Sequence, residues 1–174
     1  MTPAEAATIV MLHQGERGDP AWAGFGEALA AATGCRVFQY ARAEPALSGP
    51  ALEALPKLLE AIGFQRGILL GQGEGASIAT VYLGGVQDHR VRGLVLISPR
   101  FFTPHPTGNG EQAPDIRESI GYIRVPMLIV NGTAVQIGAA EDEAYCPVDT
   151  APGGGPADTR AAVAAFIKTV RNED

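Results

Sequence analysis

The chain has 174 residues and a mass of 18.1 kDa, the size of a single domain. Hydrophobic residues at 46% and charged residues at 18% exclude a disordered chain, and a net charge of -6 with pI ≈ 5.0 provides no basic footprint for nucleic acid or an anionic membrane surface. No apolar run approaches the ~20 residues that span a bilayer, no basic segment opens a signal peptide, and Cys35 and Cys146 lack metal-ligand spacing, so the chain reads as a reduced, cytoplasmic, cofactor-free protein. Gly 22 and Pro 13 together make about a fifth of the chain, against an average nearer 12%, with no Gly-X-Y period, which means many tight turns in a packed domain.

The first apolar run, Thr8 to Leu12, reads as a strand and leads into the loop His13 to Gly18. Asp19-Pro20 has the form of a helix N-cap followed by proline at the first helical position. Trp22, Phe25 and Leu29 then share one helical face, and Gly34 is the expected stop. A second strand covers Arg36 to Tyr40. Leu52, Leu55, Leu58, Leu59 and Ile62 form a helical stripe ending at Gly63, with Pro56 inside it, which predicts a kink or two short pieces. Ile68-Leu69-Leu70 is a third strand, apolar throughout as a doubly covered parallel strand should be. Gly71 to Gly75 turns sharply into a helix carrying Ile78, Val81 and Tyr82. Val91 to Ile97 is the fourth strand and Val125 to Val130 the fifth, with a weaker sixth over Ala144 to Val148. Asp158 is the expected cap of a last helix whose stripe is Val163, Phe166, Ile167 and Val170.

This alternation predicts the α/β class: one domain over 1–174, built as a three-layer sandwich with helices on both faces of a mainly parallel sheet. The stretch Phe101 to Pro114, with Pro104, Pro106, Gly108, Gly110 and Pro114, reads as a long exposed loop.

Strand, then Gly71-Gln72-Gly73-Glu74-Gly75-Ala76, then helix is the layout of a nucleophile elbow. Gly-x-Ser-x-Gly needs small residues on either side of its serine because strand and helix backbones approach closely there. Gly71 and Gly75 fill those positions, and Gly73 stands where the nucleophile would be. The chain resembles the α/β-hydrolase superfamily from Thr8 to Val170. Ile9 to Gly15 is similar to its first strand and His-Gly oxyanion loop, with Gln14 in place of the usual glycine. Ile68 to Gly75 resembles its nucleophile strand and elbow, Val91 to Pro99 the strand that follows, and Ile123 to Ala134 the strand that delivers the catalytic acid.

The resemblance implies a six-stranded sheet in the order 2-1-3-4-5-6, without the superfamily's leading antiparallel strands and without a cap domain. It also locates the departures. Val135 stands where the catalytic aspartate is usual, and the loop Ala151-Pro152-Gly153-Gly154-Gly155-Pro156, where the histidine is usual, has none. With all three positions of the triad vacant, no serine-hydrolase chemistry is expected, since base, acid and nucleophile work as one unit.

The crevice at the carboxyl ends of the strands would gather His13, Gln14, Gly15, Gly73, Glu74, Ser98 and Asn131. Backbone donors there, on Glu74 and on Gln14 or Gly15, suit a carbonyl or carboxylate of a small ligand. Three residues are candidates for unconventional catalysis. Ser77 lies in a second Gly-x-Ser-x-small sequence, where the alternative is an ordinary helix serine. Glu74 is either an acid/base group or a charge favouring the helix N-terminus. His13 is either a base or a structural tie for the oxyanion loop. His89 reads as a solvated loop residue at the opposite end of the sheet, His105 as part of the proline-rich loop, and Glu141-Asp142-Glu143 as a solvated acidic turn, so no metal site is expected. Gly71-x-Gly73-x-Gly75 is not a dinucleotide fingerprint, its third glycine coming one position early. The short length also makes a homodimer or a partner protein an expected way to cover exposed edges.

Overall fold

A computed structural model of the chain describes residues 7–14, 24–42, 49–99, 119–130, 148–152 and 155–172. The strands are β1 (Thr8–Gln14), β2 (Arg36–Arg42), β3 (Gly67–Gln72), β4 (Val91–Ile97), β5 (Met127–Val130) and β6 (Val148–Ala151). They pair in the order β2-β1-β3-β4-β5-β6, and every neighbouring pair is parallel. The helices whose bounds lie within the described residues are α1 (Phe25–Thr33), α2 (Gly49–Ala61), α3 (Glu74–Val86) and α4 (Pro156–Asn172).

The period of two along each strand divides the core into two layers. Val10, Leu12, Leu69, Leu94, Leu96 and Ile129 face Leu55, Leu59, Ala79 and Leu83 of α2 and α3. Ile9, Met11, Ile68, Leu70, Val95 and Leu128 face Phe25 and Leu29 of α1 and Val163, Phe166 and Ile167 of α4. Strands covered on both sides must be apolar at every position, which is why β3, β4 and β5 show no polar alternation.

Several element ends differ from the sequence expectation. α1 begins at Phe25, after Gly24 in the left-handed region (φ 74), so it is not capped by Asp19-Pro20, which lie outside the described residues. Its stop at Gly34 is as expected: φ is 70, and the Gly34 N–H donates to the Ala30 carbonyl. Pro56 does not divide α2. One element runs through it, because proline removes a single backbone donor while fully buried Leu55 and Leu59 hold the helix against the sheet. The last strand is Val148–Ala151, not Ala144 to Val148; its register against Met127–Val130 puts the pairing later in the chain. Asp158 sits inside the first turn of α4 rather than capping it. Pro156 opens the helix and the Gly155 carbonyl accepts from the Thr159 N–H, so Asp158 contributes charge at the positive end of the helix. The expected loop 101–114, Cys146 and the Glu141-Asp142-Glu143 turn lie outside the described residues.

Candidate functional site

β3 ends at Gln72 and α3 begins at Glu74, so a single residue, Gly73, converts strand to helix. Its φ of 58 and ψ of -117 lie outside the regions open to most L-residues. Both of its backbone groups are used: the N–H donates to the Ile97 carbonyl at 3.0 Å, and the carbonyl accepts from the Ala76 N–H at 3.2 Å. The bend therefore rests on the neighbouring strand as well as on its own helix.

Gly71 explains how the turn can be so tight. A Cβ at that position would stand 2.5 Å from the Gly75 carbonyl oxygen and 2.6 Å from the Ala76 nitrogen, with the Ala76 Cα also in overlap. Only glycine lets β3 pass this close beneath the first turn of α3. The Glu74 N–H, at the first helical position, lies ahead of the ladder of i−4 bonds and at the positive end of the helix.

The register lines up the rest of this edge. His13 pairs with Gln72, Gln72 with Ile97, and Ile97 with Val130, so the carboxyl ends of β1, β3, β4 and β5 are level. Ser98 follows at the end of β4, exposed, with φ at 45, and its N–H donates to the Val130 carbonyl at 2.8 Å. A non-glycine residue with positive φ is uncommon, and here one, Ser98, stands at the end of the strand next to the one that ends at Gly73, itself at positive φ. Of the residues assigned to the crevice from sequence, the backbones of His13, Gln14, Gly73, Glu74 and Ser98 are brought to this one edge. Gly15 and Asn131 lie outside the described residues, as do Val135, Gly153 and Gly154. Ser77 is elsewhere: it is 2% exposed, inside the first turn of α3. Among the described residues, no group of three or more His, Cys, Asp or Glu side chains could hold a metal ion, and no helix is long and apolar enough to cross a membrane.

The charged network of the described residues lies at the other end of the sheet. Asp88, in the connection from α3 to β4, is 8% exposed. It accepts from the Tyr82 hydroxyl at 2.7 Å and from the Arg90 Nη2 at 2.6 Å and Nε at 2.9 Å. The Arg90 hydrogen bonds hold the Asp88 carboxyl down at about 2, burial opposing them. Burial, reinforced by Asp88, pushes the Tyr82 phenol up to about 12. The Arg90 guanidinium also stands 5.8 Å from the centre of the Phe64 ring. Sequence reasoning singled out only His89 in this segment, as a solvated loop residue. The network's signal, an Asp and an Arg two residues apart, is too common in turns to mark a buried pair. His89, between them, is exposed as expected.

No family model and no curated protein matches the chain. Solved structures do. A bromoperoxidase from Bacillus anthracis superposes with a TM-score of 0.71 at 14% identity, over 94% of this chain and 92% of that one. A monoacylglycerol lipase from Paleococcus ferrophilus gives 0.67 at 12% identity, over 94% of each chain. A thermophilic esterase from Thermogutta terrifontis gives 0.66 at 15% identity, over 95% of this chain and 91% of that one.

Proposed function

We propose that this chain, which has the α/β-hydrolase fold, uses its elbow to bind a small carbonyl or carboxylate compound and not to cleave an ester. The observation that carries this reading is Gly73. The strained bend is kept, at φ 58 and ψ -117, while the residue in it has no side chain to attack a carbonyl or carry an acyl group. What remains at such a bend is electrostatic: the Glu74 N–H and the positive end of α3 face the position where a hydrolase would hold an oxyanion. Donors of that kind bind a negatively charged or polarised oxygen without needing a base or an acid beside them. Ser77 does not replace the nucleophile, being packed in the core layer of α3 and closed to a substrate.

The reading is tested by exposing the protein to a fluorophosphonate probe and to short p-nitrophenyl esters, and by titrating it with butyrate while following backbone amide resonances. The expected result is neither labelling nor turnover, with saturable shifts at Glu74 and Ser98. Gly73→Ser is expected to remain inactive as well, since it supplies a hydroxyl without a base to activate it. Stoichiometric labelling abolished by Ser77→Ala, or ester turnover lost in Glu74→Gln or His13→Gln, would overturn the proposal.

A further inference from the structure

We propose that the outer edge of β2 is an interface with a second copy of this chain, the two β2 strands pairing antiparallel about a two-fold axis. β2 is an end strand of the sheet and, among the described residues, pairs with β1 alone. The interface does not depend on the elbow, which lies two strands away on β3.

Backbone directions fix which groups the second copy meets. The Arg36 N–H donates to the Ala7 carbonyl, on the β1 side, and the parallel register runs unbroken from Arg36 to Arg42. Successive residues of a strand aim their amides to opposite sides, so the N–H and C=O groups of Val37, Gln39 and Ala41 point away from the sheet. Gln39 is exposed and Val37 half-buried, and among the described residues no hydrogen bond takes up the outward groups of either. An edge that stays single is commonly kept short or broken by proline, lysine or a bulge. β2 has 7 residues and none of these devices, whereas the opposite edge, β6, has only 4 residues.

The side chains select a second copy and its register. Arg36, Phe38 and Tyr40 share one face of β2, the face on which Tyr40 packs against the α2 and α3 layer. The Arg36 guanidinium stands 5.2 Å from the centre of the Phe38 ring, and among the described residues it has no carboxylate partner. The Tyr40 hydroxyl has no hydrogen-bond partner among them either. Setting Phe38 opposite Phe38 of the second copy sets Arg36 opposite Tyr40 of that copy. The two-fold axis repeats the match, so a guanidinium with unused donors meets an unpartnered phenol twice. These pairs fall at non-hydrogen-bonded positions, where opposed side chains come closest. Val37 and Gln39 then exchange both backbone hydrogen bonds across each side of the axis. Centring the axis on Gln39 instead would oppose Arg36 to Arg42, like charge to like. An unrelated strand would need a matching aromatic and cation of its own, which a second copy supplies by symmetry.

Analytical ultracentrifugation of the full chain over about 1–500 µM tests the pairing. Expected is a concentration-dependent rise from 18.1 kDa to twice that mass. Gln39→Pro removes an outward donor from each strand and none that serves β1, so half of the bonds between copies are lost. The dissociation constant should rise about thirtyfold. Arg36→Ala should raise it about tenfold, and both variants should keep the wild-type circular dichroism. Disulfide trapping in a Cys35→Ala, Cys146→Ala background reads the register. Phe38→Cys should cross-link on oxidation in preference to Gln39→Cys, its two Cβ atoms lying about 4.5–5.5 Å apart. A wild-type chain that stays monomeric throughout overturns the proposal, including one that pairs with a strand of another protein instead. So does a dissociation constant unchanged in either variant that folds, or trapping through Gln39→Cys and not Phe38→Cys. If Gln39→Pro does not fold, Arg36→Ala and the cross-link decide alone.

Discussion

Gly71→Ala tests the elbow at the point where strand and helix backbones meet. The added Cβ would stand 2.5 Å from the Gly75 carbonyl oxygen and 2.6 Å from the Ala76 nitrogen, whereas ordinary contacts of a Cβ begin near 3.4 Å. Overlaps of this kind cost about 1–3 kcal/mol when neighbouring side chains can give way. Here the obstructing atoms are backbone in the first turn of α3, so the upper end, about 3 kcal/mol, is expected. For a domain of this size that lowers Tm by about 6–12 °C, at roughly 2–4 °C per kcal/mol. Gly34→Ala is the control. Gly34 has φ 70 but nothing within 4 Å of a Cβ, so only the left-handed backbone is penalised, by about 1 kcal/mol. Urea unfolding followed by far-UV circular dichroism measures both. A Gly71→Ala protein within about 0.5 kcal/mol of wild type, or one no worse than Gly34→Ala, would refute the close approach and with it the elbow geometry.

Gly85→Ala should stabilise the protein by about 0.5–1 kcal/mol in the same assay, because Gly85 is an exposed helical position of α3 with open space around its Cβ. Asp88 has its carboxyl held near 2 against an ordinary value of 3.8, so its contribution of about 2 kcal/mol is in force above pH 4. That contribution is lost as pH falls from about 4 to about 2. Stability measured across this window should drop in wild type and be flatter in Asp88→Asn. Tyr82, pushed from 10.0 to about 12, acts in the opposite sense: its contribution is present below pH 10 and lost as pH rises toward 12. Tyr82→Phe, which removes the hydroxyl bonded to Asp88, should cost about 1–2 kcal/mol at neutral pH.

Much of the candidate site was readable because its signals are local. A strand must bury both faces to read as Ile68-Leu69-Leu70, and a glycine on either side of a one-residue bend follows from the space available there. The Gly73 backbone and the close approach of Gly71 to Ala76 are what that pattern requires. The errors fall where an end is decided by pairing or packing. β6 is placed by its register on Met127–Val130, and α2 survives Pro56 because Leu55 and Leu59 are held by the sheet. Asp19-Pro20 and Asp158 have the residue types of caps, yet α1 and α4 begin at Phe25 and Pro156.

The sequence by itself determined the alternation of strand and helix, the two-sided burial of the central strands and the glycine at the centre of the elbow, since each follows from side chains a few residues apart. Only the tertiary structure decided that Ser98 stands with a positive φ beside Gly73, and that Asp88, beside the exposed His89, is buried against Tyr82 and Arg90. It also decided that Arg92 stands exposed at a bulge of the sheet, between buried Val91 and Gly93. These depend on which strand ends lie level and which helix ends meet, and contacts between residues distant in the chain leave no mark on the local spacing of either partner.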